Sequence, residues 1–126
     1  MARIVAQPYM FPRIERWLAL CRDHGIFITI TSSYRSSEKQ RRLYEAYLAR
    51  GRKGLPAAAP GNSLHETGEA IDFAARFNPT YGSRRGTDAY TYAGRLAESV
   101  GFRWGGRFRA ADPVHIDAGY SWRSLG

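Results

Sequence analysis

The first 51 residues constrain the fold most, because a helical pattern, a strand pattern and a second helical pattern follow one another there. In RIERWLALCRDHG, apolar residues recur at the spacing of one helix face, which predicts a helix over about residues 12–24 that stops at Gly25. The run IFITITSSY is β-branched and aromatic and predicts a strand. Ser37 followed by Gln40 is a capping-box pattern, and EKQRRLYEAYLARG predicts a second helix that ends at Gly51.

The second half of the chain predicts shorter elements. GRKGLPAAAPGN and NPTYGSRRGT predict loops on either side of a strand, EAIDFAA. DAYTYAGRLAESVG predicts a third helix with Thr87 as its N-cap and Gly101 beyond its end, and FRWGG, VHIDAGY and SWRSL predict short strands. Without a regular βαβ alternation, these elements predict an α+β fold with a small, mainly antiparallel sheet packed with about three helices.

Length and composition favour one domain over residues 1–126, which we expect to be monomeric. The chain is 44% hydrophobic, which is enough for a core, and it has no apolar run long enough to span a membrane. The N-terminal segment lacks the pattern of a secretory signal, so we expect neither a membrane span nor visible export. The one cysteine, Cys21, excludes an internal disulfide and has the spacing of a buried helix position.

The formal net charge of +8 predicts attraction to polyanions, such as nucleic acids, anionic lipid surfaces or the acidic polymers of a bacterial cell wall. The arginines are scattered, and no motif of a known DNA- or RNA-binding class accompanies them. We therefore expect no specific nucleic-acid partner.

Two of the three histidines lie in segments rich in possible metal ligands, His65 in SLHETGEAID and His115 in DPVHID. His65, Asp72 and His115 meet the count of a catalytic zinc site, which uses three protein ligands and leaves one position for water. Gly68 allows the backbone to turn so that His65 and Asp72 face one point. His24 lies near the end of the first helix, where an imidazole needs no functional explanation.

A hydrolase also needs a carboxylate near the metal to accept and return a proton, and Asp112 is the best-placed candidate. On an ideal strand Asp112 and His115 would point to opposite faces, so Pro113 must break the extended run. Arg35 is the candidate donor to the carbonyl oxygen of a substrate.

Each of these residues has a structural alternative. A histidine between apolar neighbours, as in PVHID, is more often a half-buried residue without a ligand, and SLHETGEAID alone is compatible with a capped turn before a strand. Arg35 in isolation is compatible with a surface arginine. Asp117 is an alternative acid, or a partner that orients His65 or His115.

Taken together, the motifs resemble those of a known family. SLHETGEAIDF matches the pattern S-x-H-x-x-G-x-A-x-D, and DPVHID matches D-x-x-H, of zinc peptidases that cleave bacterial peptidoglycan. That family comprises D-alanyl-D-alanine carboxypeptidases and L-alanyl-D-glutamate endopeptidases, including phage endolysins. TSSYRSSEKQRRLY and GFRWGGRF resemble two further segments of the family in the same order along the chain.

The resemblance implies Zn²⁺ held by His65, Asp72 and His115, and Asp112 as the general acid and base. It also implies that Arg35 stabilises the carbonyl oxygen and that Ser63 binds substrate. Trp104, Phe102 and Tyr34 are candidate groove walls, and the 51–62 and 76–87 loops are expected to shape the groove. Glu66 and Glu69 are left out of the site.

The implied substrate is the stem peptide of peptidoglycan, and the expected role is that of a phage lysis or virion-associated enzyme. Such an enzyme is made in the host cytoplasm, acts on the cell wall and has virion or tail proteins as possible partners. Two other hypotheses remain, a catalytically inactive wall-binding module of the same fold and a basic nucleic-acid-binding protein with structural histidines.

Overall fold

The computed structural model of the protein describes residues 4–80 and 86–120, which form an α+β fold as predicted. Three single 3₁₀ turns, Pro8–Met10, Leu64–Thr67 and Gly105–Arg107, lie between the longer elements. The helices and strands of the described residues are α1 (Phe11–Asp23), β1 (Ile26–Ser32), α2 (Ser37–Ala49), β2 (Ala70–Phe77), α3 (Ala89–Ser99), β3 (Arg103–Trp104) and β4 (His115–Asp117).

The strands form one sheet in the order β1-β2-β4-β3, and all three pairings are antiparallel. Helices α1 and α3 pack on the sheet and on each other. The core between them contains Trp17 of α1, which makes edge-to-face contacts with Phe73 and Phe102. The Trp17 indole nitrogen donates to the Ala93 carbonyl oxygen at 2.9 Å, so this large ring is buried without an unsatisfied donor.

Two predicted helix caps are wrong by one residue. Helix α2 is capped by Ser36, whose hydroxyl accepts from the Lys39 amide, because the Gln40 side chain of the expected capping box is buried and bonded elsewhere. Helix α3 is capped by Asp88 in place of Thr87, and its carboxylate accepts from both the amide and the hydroxyl of Thr91. A carboxylate at a helix N-terminus also interacts favourably with the helix dipole.

The ends of the sheet strands position the polar residues of the next section. The register of β1 against β2 shifts between Ile30 and Ser32, so that Ser32 pairs with Asp72. On the other side of β2, Asp72 pairs with His115 of β4. The bulge therefore turns the chain after β1 towards the same place that β2 and β4 reach.

The last predicted elements are shorter than expected. FRWGG and VHIDAGY contain strands of two and three residues, and the predicted strand SWRSL lies outside the described residues. Cys21 is fully buried, as predicted. Among residues 4–80 and 86–120, no helix is both long enough and apolar enough to cross a membrane.

Candidate metal centre

Two histidines and one aspartate from three separate segments meet at one edge of the sheet. His65 lies in the 3₁₀ turn Leu64–Thr67, Asp72 on β2 and His115 on β4. Each side chain offers one ligand atom, and these atoms lie within 4.8 Å of one another. Gly68 ends the turn in the left-handed region at φ 74°, so the backbone reverses between His65 and Asp72 as the sequence predicts.

The proton of His65 is fixed by a carbonyl group. His65 Nδ1 donates to the Ser33 carbonyl oxygen at 2.7 Å, because a carbonyl oxygen can only accept. Nε2 is then the ring nitrogen left to bind a metal, and it lies 3.1 Å from Asp72 Oδ1. The two atoms are at hydrogen-bond distance, and a cation bound by both would take the place of a proton.

His115 is oriented in the same way by a carboxylate. Its Nε2 donates to Asp117 Oδ2 at 2.6 Å, and its Nδ1 faces Asp72 Oδ1 at 3.3 Å. Asp117 is 1% exposed and accepts two further bonds from Arg103, at 2.9 and 2.8 Å. A histidine held by a carboxylate behind it is the usual arrangement of a metal ligand. The sequence left Asp117 as either a catalytic acid or a residue that orients a histidine, and the geometry favours the second role, at His115.

The pKa values of the cluster follow from these contacts. Burial disfavours the charged form of His115, but the hydrogen bonds to Asp117 and Asp72 outweigh it and raise the pKa of His115 to about 9. Burial also disfavours the charged form of Asp72, but hydrogen bonds from His115 and His65 keep the pKa of Asp72 below its usual range. In the metal-free protein a proton on His115 thus offsets the charge of two carboxylates at neutral pH.

The donor set fits a zinc ion. Two imidazole nitrogens and one carboxylate oxygen are typical of catalytic zinc sites, which keep a further position open. Both ring orientations are fixed by groups outside the set, and the three ligand atoms lie within 4.8 Å of one another. The cluster also borders a cavity of about 550 Å³, so a fourth position is accessible to a small molecule.

Asp112 reaches the same cavity through a turn. The His115 amide donates to the Asp112 carbonyl oxygen at 3.1 Å, which closes a turn with Pro113 at its second position. Pro113 thus breaks the extended run as predicted. Gly105 makes the turn possible, because a Cβ atom there would overlap the Asp112 carbonyl oxygen.

The Asp112 carboxylate is available for proton transfer. Its Oδ1 is buried and has no hydrogen-bond partner among the described residues. Burial, assisted by the charge of Asp72, raises the pKa of Asp112, and His115, His65 and Arg35 oppose this shift. A carboxylate with a raised pKa accepts and returns a proton more readily near neutral pH than an ordinary aspartate.

Arg35 lies beside the cluster with most of its donors in use. It donates to Asp72 Oδ2 at 2.7 Å, to Gln40 Oε1 at 3.0 Å and twice to the Ser32 hydroxyl, at 3.3 and 3.0 Å. A guanidinium has five N–H donors, so these four bonds leave one on Nη1. Arg35 lines the cavity, where that donor is within reach of a bound molecule.

The cavity has two walls. The first, which we call the triad wall, contains His65, Asp72, Asp112, His115 and Asp117. The second, which we call the loop wall, consists of the cavity-lining residues of α2 and of residues 50–62. Of the two loops expected to shape a groove, the 51–62 loop lines the cavity, whereas no described residue of the 76–87 loop does so.

Ser63 also lines the cavity, and its hydroxyl accepts from the His65 amide at 3.2 Å. It therefore caps the turn that carries His65. Its predicted contact with substrate stays a prediction.

Trp104 occupies a different place from the predicted groove wall. Its ring is 7% exposed, it belongs to the core and it does not line the cavity. Gly94 and Gly106 flank the ring so closely that a Cβ atom at either would overlap it. The Trp104 indole nitrogen donates to the Pro113 carbonyl oxygen at 3.0 Å. The residue thus supports the turn from Asp112 to His115 from below and does not face a substrate.

The other aromatic candidates lie away from the cavity as well. Phe102 is buried in the core, and Tyr34 is exposed but is not among the cavity-lining residues. Aromatic side chains beside a small sheet are often core residues, and the sequence offered no signal to separate the two cases.

The residues left out of the site have structural contacts. Glu66 accepts from the Gly61 amide, and Glu69 is fully buried and accepts from the Tyr9 hydroxyl. His24 contacts the Tyr92 hydroxyl at 2.9 Å.

Sequence reasoning missed Arg103 and the role of Gln40. For Asp117, which the sequence left between two roles, the strand pattern already favours a place beside His115, because residues two apart on a strand point to the same face. Gln40 accepts from Arg35 and donates to the Ala58 carbonyl oxygen at 2.7 Å, so it connects Arg35, beside the triad, to the 51–62 loop. No local pattern distinguishes such a buried glutamine from a helix cap.

Comparisons with known proteins agree with the resemblance read from the motifs. Residues 3–117 match the model of a family described as VanY, D-alanyl-D-alanine carboxypeptidase. Over 110 residues, the chain is 32% identical to the peptidoglycan L-alanyl-D-glutamate endopeptidase CwlK of Bacillus subtilis (strain 168). That match covers 79% of this chain and 65% of the Bacillus protein, which is just under two thirds of its length.

Solved structures share the fold. A vancomycin-resistance D,D-pentapeptidase VanY variant in complex with Zn(II) matches with a TM-score of 0.65 and 20% identity, over 90% of this chain and 73% of the other. The L-Ala D-Glu endopeptidase ChiX of Serratia marcescens matches with a TM-score of 0.60 and 17% identity, over 95% and 84% of the two chains.

Proposed function

Because this chain belongs to the VanY family of D-alanyl-D-alanine carboxypeptidases, we propose that it is a zinc peptidase of the bacterial cell wall. Its substrate in this proposal is the stem peptide of peptidoglycan, in which it hydrolyses one peptide bond. The family match and the endopeptidase relative both support this substrate class.

One observation carries the proposal above the others. His65 Nε2 and His115 Nδ1 both face Asp72 Oδ1, at 3.1 and 3.3 Å, beside a cavity that Asp112 also lines. This convergence suits a cation, which each of the three groups can bind once the two histidine nitrogens carry no proton. A purely structural histidine pair, as in the nucleic-acid-binding hypothesis, gives no reason for it.

The residues take the following roles in hydrolysis. His65, Asp72 and His115 would hold zinc, which when bound supplies an activated water and polarises the substrate carbonyl. Asp112 accepts the proton of the attacking water and returns it to the leaving amine, for which its place in the cavity lining and its raised pKa are suited. Arg35 donates its remaining N–H to the carbonyl oxygen as negative charge develops there.

The bond between L-alanine and D-glutamate is the first to test. The relative with 32% identity is named as an endopeptidase of that bond, whereas the description of the family names the D-alanyl-D-alanine bond. Both bonds belong to the same stem peptide, so one substrate serves both tests.

We further propose that the protein reaches the wall during phage lysis or as part of a virion, with tail proteins as partners in the second case. The net charge of +8 supports a function at an acidic polymer such as the cell wall. Expression in a bacterial host with and without a holin-type pore tests this route, since pore-dependent lysis is expected.

The experiment for the proposed function is digestion of purified peptidoglycan followed by mass spectrometry of the fragments. The zinc-loaded protein is expected to release new amino groups at one type of bond, and removal of zinc by a chelator is expected to stop release until zinc is restored. Zinc-bound protein that binds the wall and releases nothing would favour the inactive binding module. Protein without zinc that binds DNA tightly at low salt would favour the nucleic-acid hypothesis.

A further inference from the structure

Four arginines line the cavity, and three of them have partners within the protein. Arg35 is bonded to Asp72, Gln40 and Ser32, and Arg103 is bonded to Asp117. Arg50 donates to the carbonyl oxygens of Lys53 and Leu55, at 3.1 and 3.2 Å, and so holds the loop together. The fourth is Arg52, whose guanidinium has no hydrogen bond and no ion pair with any described residue.

The backbone at Arg52 is held in an unusual conformation. Its φ is 62°, and among the described residues Arg52 is the one non-glycine residue in the left-handed region. That region is unfavourable for a residue with a Cβ atom, because the Cβ atom comes too close to the following carbonyl oxygen. The preceding Gly51 has φ 67°, and the Arg52 amide donates to the Tyr47 carbonyl oxygen at 3.0 Å. The chain thus reverses after α2, and Arg52 returns towards the last turn of that helix.

The reversal leaves the Arg52 side chain beside an aromatic ring on the loop wall. Its guanidinium carbon lies 6.0 Å from the centroid of the Tyr47 ring, which is itself buried. Leu43 and Leu55 also line this cavity, and both side chains are exposed. An arginine against an aromatic ring retains its outward N–H donors, because the contact uses the face of the guanidinium.

The acidic groups of the cavity are all on the triad wall. They are Asp72, Asp112 and Asp117, and the described lining of the loop wall contains no carboxylate. Arg52 is therefore a cation in a partly apolar cavity, and no carboxylate of the residues that the structure describes is bonded to it. A substrate carboxylate is the group that matches such a donor, since a guanidinium binds it through two parallel hydrogen bonds.

We propose that Arg52 is a specificity-determining residue, which binds a substrate carboxylate that is not part of the bond that is cleaved. The inference rests on the proposed function. A stem peptide offers two carboxylates of this kind, the one of D-glutamate and the one at the end of D-alanyl-D-alanine. Arg50 and Tyr47 position Arg52, and the left-handed backbone aims it at the cavity.

The test compares free-acid and amidated forms of one synthetic substrate. The probe is an N-acetylated stem pentapeptide, L-alanyl-D-glutamyl-L-lysyl-D-alanyl-D-alanine, with either the glutamate or the terminal carboxylate converted to an amide. Zinc-loaded wild type, Arg52→Gln and Arg52→Gly are measured, the last because glycine tolerates the backbone conformation. Arg42→Gln is the matched control, since Arg42 is an exposed arginine of α2 that does not line the cavity.

Wild type is expected to prefer the free acid over one of the two amides by about tenfold in kcat/KM. Both Arg52 variants lose that preference through a higher KM for the acid, with kcat and zinc content unchanged, whereas Arg42→Gln keeps it. One of the two amides is cleaved more slowly than the free acid by wild type but not by the Arg52 variants. The carboxylate replaced in that amide is the one that Arg52 binds.

Three outcomes contradict the inference. If wild type cleaves the acid and both amides equally, Arg52 does not bind a substrate carboxylate, and the proposed function is unaffected. A parallel loss on acid and amides in the Arg52 variants shows a structural effect and also overturns it. Failure of zinc-loaded wild type to cleave any form of the peptide or purified peptidoglycan overturns the proposed function, and the inference with it.

Discussion

The two walls of the cavity are built in opposite ways. On the triad wall, His65 and Asp117 are almost fully buried, and both histidines, Asp72 and Asp117 are oriented by hydrogen bonds to other groups. On the loop wall, Arg52 and Leu55 are exposed, and the backbone is irregular and rich in glycine, alanine and proline. The difference fits the two proposals, in which the triad wall holds the zinc and the base, and the loop wall binds the rest of the substrate.

The largest expected effect concerns the base on the triad wall. Asp112→Asn is expected to lower kcat on the order of a thousandfold, because the amide cannot accept the proton of the attacking water. Zinc content, measured by atomic absorption, is expected to stay unchanged.

Asp23→Asn is the control for that substitution, since Asp23 is an exposed acid at the end of α1. A loss in Asp112→Asn smaller than about tenfold would remove Asp112 from the role of base and leave the metal ligands untouched.

The two walls should also differ in their tolerance of a methyl group. Gly105→Ala places a Cβ atom against the Asp112 carbonyl oxygen and should displace the turn that carries Asp112, lowering kcat/KM about a hundredfold. Gly61→Ala, beside the loop wall, meets no atom within 4 Å and should cause only the strain of its φ of 88°. Steady-state kinetics with circular dichroism separates the two, and an equal loss of activity in both variants would contradict the difference.

Asp117 should determine how tightly the triad wall holds zinc. Asp117→Asn weakens the orientation of His115 and is expected to lower zinc affinity by about 10–100-fold in a competitive chelator titration. Glu98→Gln is the matched control, because Glu98 also accepts from an arginine, Arg107, but lies away from the cavity. Unchanged affinity in Asp117→Asn would show that the carboxylate does not act through His115.

The dependence of zinc binding on pH is the last difference to measure. The pKa of His115 in the metal-free protein is raised to about 9, so zinc must displace a proton at any lower pH. Apparent affinity is therefore expected to rise about tenfold per pH unit between about pH 6 and pH 8 from this group alone. In Asp117→Asn the rise should be complete at a lower pH, since the partner that raises the pKa is gone. An apparent affinity that does not change with pH would contradict the presence of a proton on His115 in the metal-free protein.

The triad wall could be predicted from the sequence, and the loop wall could not. His65, Gly68 and Asp72 are close in the chain, and a turn before a strand determines their relation locally. The pairing of β2 with β4 then brings in His115, and the turn at Pro113 brings in Asp112. By contrast, Arg52 resembles any exposed arginine, because its place depends on a backbone reversal that no pattern of side chains encodes.

The errors have a common physical origin. Trp104 was predicted to face substrate, but two glycines on other segments open a space for its ring in the core. Gln40 was predicted to cap a helix, but its amide bonds to Arg35 and to the 51–62 loop. In both cases a contact between segments distant in the chain decided the outcome, and such contacts are absent from local sequence.

The most direct test of the central claim is a crystal structure of the zinc-loaded protein with anomalous diffraction at the zinc edge. The ion is expected about 2.0–2.2 Å from His65 Nε2, His115 Nδ1 and one oxygen of Asp72, with Asp112 nearby but not bound to it. Zinc located elsewhere, or held through Asp112 in place of Asp72, would contradict the assignment of ligands and base.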